Sequence, residues 1–234
     1  MHIKRFWILL IIVSLFSCSQ NKLTSKESAG VKNVVDYFGG ICDYKKGIQV
    51  SSNGSKKNYF DLKLYKSEKI EALKDYSELA ASGIAYIFCT SLENDKSNYD
   101  VIRSQLSFDN GNVKKYEYLI EELNIVKHEM EKVTASINYL KNKNYNGLKS
   151  LFYDSSYSQI DNDLLIENLI EADNFYGSIT EFKFLGFKFH ESESGEPLLL
   201  ICGTVLTTKN GHKFSIETNP ADSSKKVFYI NYKY

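Results

Sequence analysis

Residues 179–190 read ITEFKFLGFKFH, a strand-like stretch in which the alternation of aromatic and polar residues breaks once. Four phenylalanines lie in it, two on each side of the break: Phe182, Phe184, Phe187 and Phe189. The first two share one parity and the last two share the other, so a β-bulge at Leu185-Gly186 would restore the alternation. The stretch therefore predicts one bent strand that carries all four rings on one face and curves its sheet around the core.

The rest of the C-terminal region also follows the period of two that is typical of strands. The predicted strands are residues 179–190, 198–208, 213–218 and 227–234. Three turn signals separate them: Glu196-Pro197, Asn210-Gly211 and Asn219-Pro220. Short turns between successive strands predict antiparallel pairing.

Three helices are predicted upstream of this sheet, in residues 124–143, 145–153 and 161–175. Apolar residues recur at helical spacing in the first and third, and Gly177 ends the third. Residues 124–234 are therefore predicted to form three helices followed by a curved four-stranded antiparallel sheet.

Residues 137–152 read INYLKNKNYNGLKSLF, in which a first helix ends in a polar turn and a second begins near an aromatic residue. This pattern resembles the start of NTF2-like (cystatin-like) α+β domains. The resemblance covers residues 128–234 and implies a conical cavity between the sheet and the helices. The family includes isomerases, hydratases, binding modules and toxin-immunity proteins, so the resemblance leaves the function open.

The preceding region, residues 31–123, is predicted to be a second α+β domain with the element order (α)ββαββ and resembles no family. Its strands are predicted in residues 41–50, 58–65, 99–108 and 113–123. A helix is predicted in residues 67–92, with Gly83 in its interior. Because glycine costs a helix about 1 kcal/mol relative to alanine, Gly83 predicts close packing against a sheet. The fold class of the whole chain is thus predicted to be α+β, with two small domains.

The N-terminus carries Lys4 and Arg5, then an apolar run over residues 6–16, and then Ser17-Cys18. The run is too short to span a bilayer, which takes about 20 residues. The pattern resembles a bacterial lipoprotein signal, which implies that residues 1–17 are a signal peptide and that Cys18 becomes the lipidated first residue. Ordinary secretion is the main alternative. Residues 18–30 are polar and are predicted to be a flexible tether.

A lipidated Cys18 implies a protein of the cell envelope that is held to a membrane by its acyl chains. The next residue, Ser19, is not the acidic residue that retains some lipoproteins at the inner membrane. The outer membrane is therefore favoured in a cell that has one.

Composition points to a globular protein without an electrostatic preference for nucleic acid. The chain has 29 basic and 29 acidic residues, 17 tyrosines and 14 phenylalanines. Arg5 and Arg103 are its two arginines, and arginine is the preferred residue for phosphate and base-edge contacts. The cysteines that follow Cys18 lie among apolar residues, which favours buried free thiols, with a disulfide between Cys42 and Cys89 as the alternative.

No spacing of residues is typical of a catalytic motif, and neither a cofactor nor a metal site is predicted. His128-Glu129 resembles half of a zinc-protease motif, but position 132 is lysine. We therefore expect a non-catalytic binding module for a protein or a small apolar ligand. The candidate pocket residues are Phe182, Phe184, Phe187, Phe189 and Tyr229.

Three other interpretations stay open. The aromatic residues could be plain core, since alternating aromatics on strands usually are. The protein could be an isomerase- or hydratase-type enzyme, which needs a carboxylate in the cone with a raised pKa. It could also be an immunity protein against an envelope toxin, which is a special case of protein binding.

Overall fold

The computed structural model describes residues 22–154, 160–222, 224 and 226–233. The predicted signal peptide and Cys18 lie outside these residues. The described chain is α+β, with six α-helices and two four-stranded sheets. No helix within it is long and apolar enough to cross a bilayer.

The first half contains three helices and one mixed sheet. Its elements are α1 (Ser25–Phe38), β1 (Ile41–Val50), β2 (Lys56–Tyr65), α2 (Glu68–Ala72), α3 (Ser77–Leu92), β3 (Val101–Ser107) and β4 (Val113–Leu119). The sheet order is β1-β2-β3-β4, in which β2 and β3 are parallel because α2 and α3 form the crossover between them. The helix predicted over residues 67–92 is divided by a 3-10 turn at Lys74–Tyr76.

The second half has the predicted order of three helices and four antiparallel strands. Its elements are α4 (Ile120–Lys141), α5 (Tyr145–Lys149), α6 (Asn162–Tyr176), β5 (Ile179–Glu191), β6 (Pro197–Thr207), β7 (Gly211–Thr218) and β8 (Tyr229–Lys233). The strands are antiparallel, as predicted, and they pair in chain order. The strand predicted over residues 113–123 ends at Leu119, because the Glu122 carboxylate accepts the Leu119 N–H at 2.8 Å and starts α4 there.

The predicted tether is too long, because α1 begins at Ser25 rather than after Gly30. Thr24 caps this helix: its hydroxyl accepts the Glu27 N–H at 3.2 Å, and the Glu27 carboxylate accepts the Thr24 N–H at 2.8 Å. This reciprocal capping box stabilises a helix start in a segment whose polar composition alone indicates a coil. Residues 25–30 therefore belong to the folded body.

The predicted β-bulge in β5 is confirmed. Phe184 pairs with Gly203 and Gly186 pairs with Cys202, so that Leu185 is the extra residue. The four phenylalanines consequently pair with alternate residues of β6, all of which are buried: Val205, Gly203, Ile201 and Leu199. One face of the second sheet therefore carries all four rings, as the sequence predicts.

The bulge is also the place where α3 packs on β5. A Cβ atom added at Gly83 would lie 2.0 Å from the Leu185 carbonyl oxygen, and one added at Gly186 would lie 1.8 Å from the Leu79 carbonyl oxygen. The Phe187 N–H donates to the Ser82 hydroxyl at 2.8 Å. The close approach predicted from Gly83 is thus confirmed, and the sheet that it approaches is the second one.

Both halves contribute to one hydrophobic core. Tyr118 of β4 packs edge-on against Phe187, with ring centroids 5.6 Å apart. Tyr86 of α3 packs on Phe184 with centroids 4.9 Å apart. The two halves therefore bury apolar surface against each other as well as within themselves.

Glu27 ties α1 to the first sheet through a buried carboxylate that is only 2% exposed. Burial raises its pKa, but hydrogen bonds from Tyr99 Oη, Lys46 Nζ and the Thr24 N–H outweigh burial and hold the pKa below the ordinary value. The Lys46 Nζ lies 2.9 Å from Glu27 Oε2. Three donors for one carboxylate satisfy a charge that would otherwise be costly to bury.

We expect Gly83→Ala to destabilise the protein by about 1–3 kcal/mol, although alanine favours a helix. The added methyl group would overlap the Leu185 carbonyl and push β5 away from α3. Chemical denaturation of a soluble form that begins at Ser19 measures the change. Gly211→Ala is the control, since the nearest atom to its Cβ would be a flexible side-chain carbon at 3.2 Å. A Gly83→Ala variant as stable as the parent would contradict the close contact.

Glu27→Gln is expected to lower the free energy of unfolding at pH 7 by about 1–3 kcal/mol, because it removes a buried, charge-assisted set of hydrogen bonds. The folded pKa lies below the unfolded one, so the ionised carboxylate stabilises at neutral pH and this contribution disappears as the pH falls through the folded pKa. The difference between parent and variant should therefore shrink in acid. Unfolding curves measured from neutral to acid pH test this, with the exposed Glu121→Gln as control. A difference that stays constant with pH would refute it.

Candidate binding site

The four phenylalanines of β5 pack in or against the hydrophobic core. Phe187 is 2% exposed, and the rings of Phe182, Phe184 and Phe189 pack against the same core. Tyr229 pairs with Glu217, whereas its neighbour Ile230 pairs with Ile216 on the face of the phenylalanines. Tyr229 therefore lies on the other face of the sheet, and the structure does not bring the five predicted pocket residues together.

The first sheet has one covered face and one open face. Phe60, Leu62 and Leu64 of β2 are buried under the helices, so the alternate residues of β2 point away from the core. The pairing registers align these outward residues across the sheet. One row runs across all four strands: Lys45, Asp61, Arg103 and Glu117. We call this set the charge row; its signs alternate from strand to strand.

Arg103 is held in place by four neighbours. Its Nε lies 2.8 Å from Glu117 Oε2 and 3.8 Å from Asp61 Oδ1. Its guanidinium also donates to the Gln49 side-chain oxygen and stacks over the Tyr59 ring, with Cζ 4.3 Å from the centroid. An arginine fixed on both edges and on one face has lost most of its rotamer freedom before any ligand arrives.

Asp61 is the member of the charge row whose pKa is displaced from its ordinary value. Burial raises its pKa, and Glu117 raises it further, while Arg103, Lys45 and Lys115 act in the opposite direction. The net direction is upward. The pKa of Asp61 is therefore sensitive to a change in any of these neighbouring charges.

A groove of about 360 Å³ opens on this face, lined by residues of β2, β3 and β4. A second row lies next to the charge row: Asp43, Lys63, Gln105 and Lys115. The last three of these residues line the groove. Among the described residues, no carboxylate lies within ion-pair distance of Lys63 or Lys115. Two smaller cavities, of about 210 Å³ and 140 Å³, lie beside α6 and α4.

The buried carboxylates of the second half are paired within the protein. Glu129 and Lys132 form an ion pair of 2.8 Å on one side of α4, with both side chains nearly inaccessible. Asp173 of α6 lies 3.0 Å from Lys143 Nζ and accepts the Tyr145 hydroxyl at 3.1 Å. The first pair lies within α4, and the contacts of Asp173 join α6 to α5 and to the turn that follows α4. We assign both carboxylates a structural role.

The three described cysteines are free. Burial raises the pKa of Cys42 to about 12 and those of Cys89 and Cys202 to about 11. Thiols that stay protonated at neutral pH are poor nucleophiles and poor metal ligands. In the described part of the chain, no three potential ligand side chains are grouped so that they could hold a metal ion.

Sequence reasoning missed the charge row as a site. One local signal was present, since Asp61 and Lys63 alternate with the buried leucines of β2 and therefore point outward. A second signal was Arg103, because it is the one arginine beyond the basic N-terminal segment. Their alignment depends on the parallel pairing of β2 with β3, which no local pattern encodes.

Two substitutions in the charge row should shift the pKa of Asp61 in opposite directions. Arg103→Gln removes the strongest opposing charge and should raise the pKa further, whereas Glu117→Gln removes a like charge and should lower it. A carbon-13 NMR titration of the Asp61 carboxyl in parent and variants measures both shifts. Shifts in the same direction would contradict the assigned electrostatics.

Comparisons with known proteins yield no relative. No protein-family model, no curated protein and no solved structure matches this chain.

Proposed function

We propose that this protein is a cell-envelope lipoprotein, anchored through Cys18, that acts as a non-catalytic binding module for a protein partner. The open face of the first sheet is its binding surface. The observation that carries this proposal is the groove beside Arg103, whose side chain is already ordered by Asp61, Glu117 and Tyr59. Binding to preordered groups costs less conformational entropy than binding to mobile ones.

The charges on this face favour a protein over other ligands. The charge row and the row beside it hold four cations and three carboxylates, and the signs alternate strictly within the charge row. Alternating charges select a partner with a complementary pattern and repel partners without one. A polyanion such as nucleic acid is bound by surfaces with a large excess of positive charge. The phenylalanines of β5 pack in or against the core and line none of the three cavities described above, which favours the groove over a site for a small apolar ligand at these rings.

The second half supports the first as a scaffold in this proposal. Its three helices followed by four antiparallel strands accord with the proposed resemblance to NTF2-like domains. The aromatic residues that would line a cone are instead packed against each other, with Phe182 and Phe214 centroids 5.9 Å apart. We therefore place the binding surface on the first sheet.

The test is crosslinking in the native cell with a C-terminally tagged full-length chain, followed by mass spectrometry. We expect one protein at near-stoichiometric yield, and we expect Arg103→Glu to reduce that yield about tenfold or more, because it sets a third carboxylate between Asp61 and Glu117. Lys127→Glu, an equal charge change on the exposed side of α4, should leave the yield unchanged. Recovery of the chain alone, or equal loss in both variants, would refute the proposal.

A further inference from the structure

The cations of the groove differ in whether they form ion pairs within the protein. Arg103 is engaged by Asp61 and Glu117, so its charge is compensated within the charge row. Lys63 and Lys115 line the same groove and have no carboxylate among the described residues at ion-pair distance. Lys115 still acts on Asp61 from a greater distance and lowers its pKa. Among the described residues, the groove therefore has two cations without a direct ion pair next to one that has two.

These two lysines are placed to converge on one ligand. Lys63 pairs with Gln105, and Gln105 pairs with Lys115, so the lysines flank the glutamine in one line across β2, β3 and β4. Their backbones are two strand spacings apart, about 9.6 Å. Two long flexible ammonium side chains can meet over that distance. Gln105 can donate an amide N–H to the same ligand from between them.

We infer that this groove holds an acidic segment of the partner, with a side-chain carboxylate seated between Lys63 and Lys115 above Gln105. The inference rests on the proposed protein-binding function and names the chemistry that its site recognises. The carboxylates of Asp61 and Glu117 also line the groove, next to the position between the two lysines. They would repel a ligand with several adjacent negative charges, so the groove favours a ligand with a single, isolated negative charge. A peptide side chain meets that requirement, because its neighbours along the chain can be neutral or basic.

The same carboxylates argue against a lipid surface as the occupant. Attraction to an anionic membrane grows with each basic residue near the surface, and it needs several of them acting together. The two rows together have a net charge of only +1, from four cations and three carboxylates. A flat anionic layer would also bring lipid charges against Asp61 and Glu117.

The experiment measures binding of a fluorescent, terminally blocked peptide, in which one glutamate lies between neutral serine and glycine residues, to the full chain in micelles of a neutral detergent, at about 0.15 M salt. We expect Lys63→Gln/Lys115→Gln to weaken binding about tenfold. The matched control, Lys127→Gln/Lys141→Gln, removes the same charge from exposed positions of α4 and should leave the affinity unchanged. Thermal unfolding of both double variants verifies that each is folded.

Three outcomes would overturn the inference. Equal weakening in both double variants would show attraction to net charge alone. Absence of peptide binding to the parent chain would exclude an acidic segment, while the capture experiment described above would still report separately on protein binding. Binding of phosphatidylglycerol vesicles that is lost in Lys63→Gln/Lys115→Gln, with no binding of the peptide, would assign the groove to a membrane surface.

Discussion

The arrangement of the two sheets depends on a backbone contact that tolerates no side chain. Gly83 on α3 and Gly186 in β5 each face a carbonyl oxygen of the other element, at distances that leave no space for a Cβ atom. This contact lets Ser82 accept the Phe187 N–H, and the Tyr37 hydroxyl donates to the Phe184 carbonyl nearby. The outer edge of β5, which would otherwise invite pairing with another chain, is thereby occupied at the bulge.

The same contact decides which surface is left for binding. Because α3 is shared between both sheets, the covered face of the first sheet becomes continuous with the core of the second half. The opposite face of the first sheet keeps its charged side chains in register across four strands. A sheet covered on one side and charged on the other is stable, since antiparallel and mixed sheets tolerate water on one face. Rigid strands then hold the groove residues in place.

Local patterns predicted the features that arise from neighbouring residues. The bulge followed from the parity of four phenylalanines, and the antiparallel pairing of the second sheet followed from its short turns. The helix start at Thr24 was missed, although Thr24 and Glu27 have the spacing of a capping box. The charge row could not be predicted, because it depends on the parallel register of β2 and β3 across an intervening crossover. For the same reason, the sequence predicted that Gly83 approaches a sheet without indicating which one.

The early start of α1 has a consequence for how this protein would meet its partner. Six residues separate Cys18 from Ser25, where the helix begins. Even fully extended, that segment reaches at most about 25 Å. With Cys18 lipidated, as we propose, the folded body would stay close to the bilayer, where its search is two-dimensional. A partner resident in or on the same membrane would meet it at a high effective concentration, so even a weak contact at the groove would be occupied much of the time.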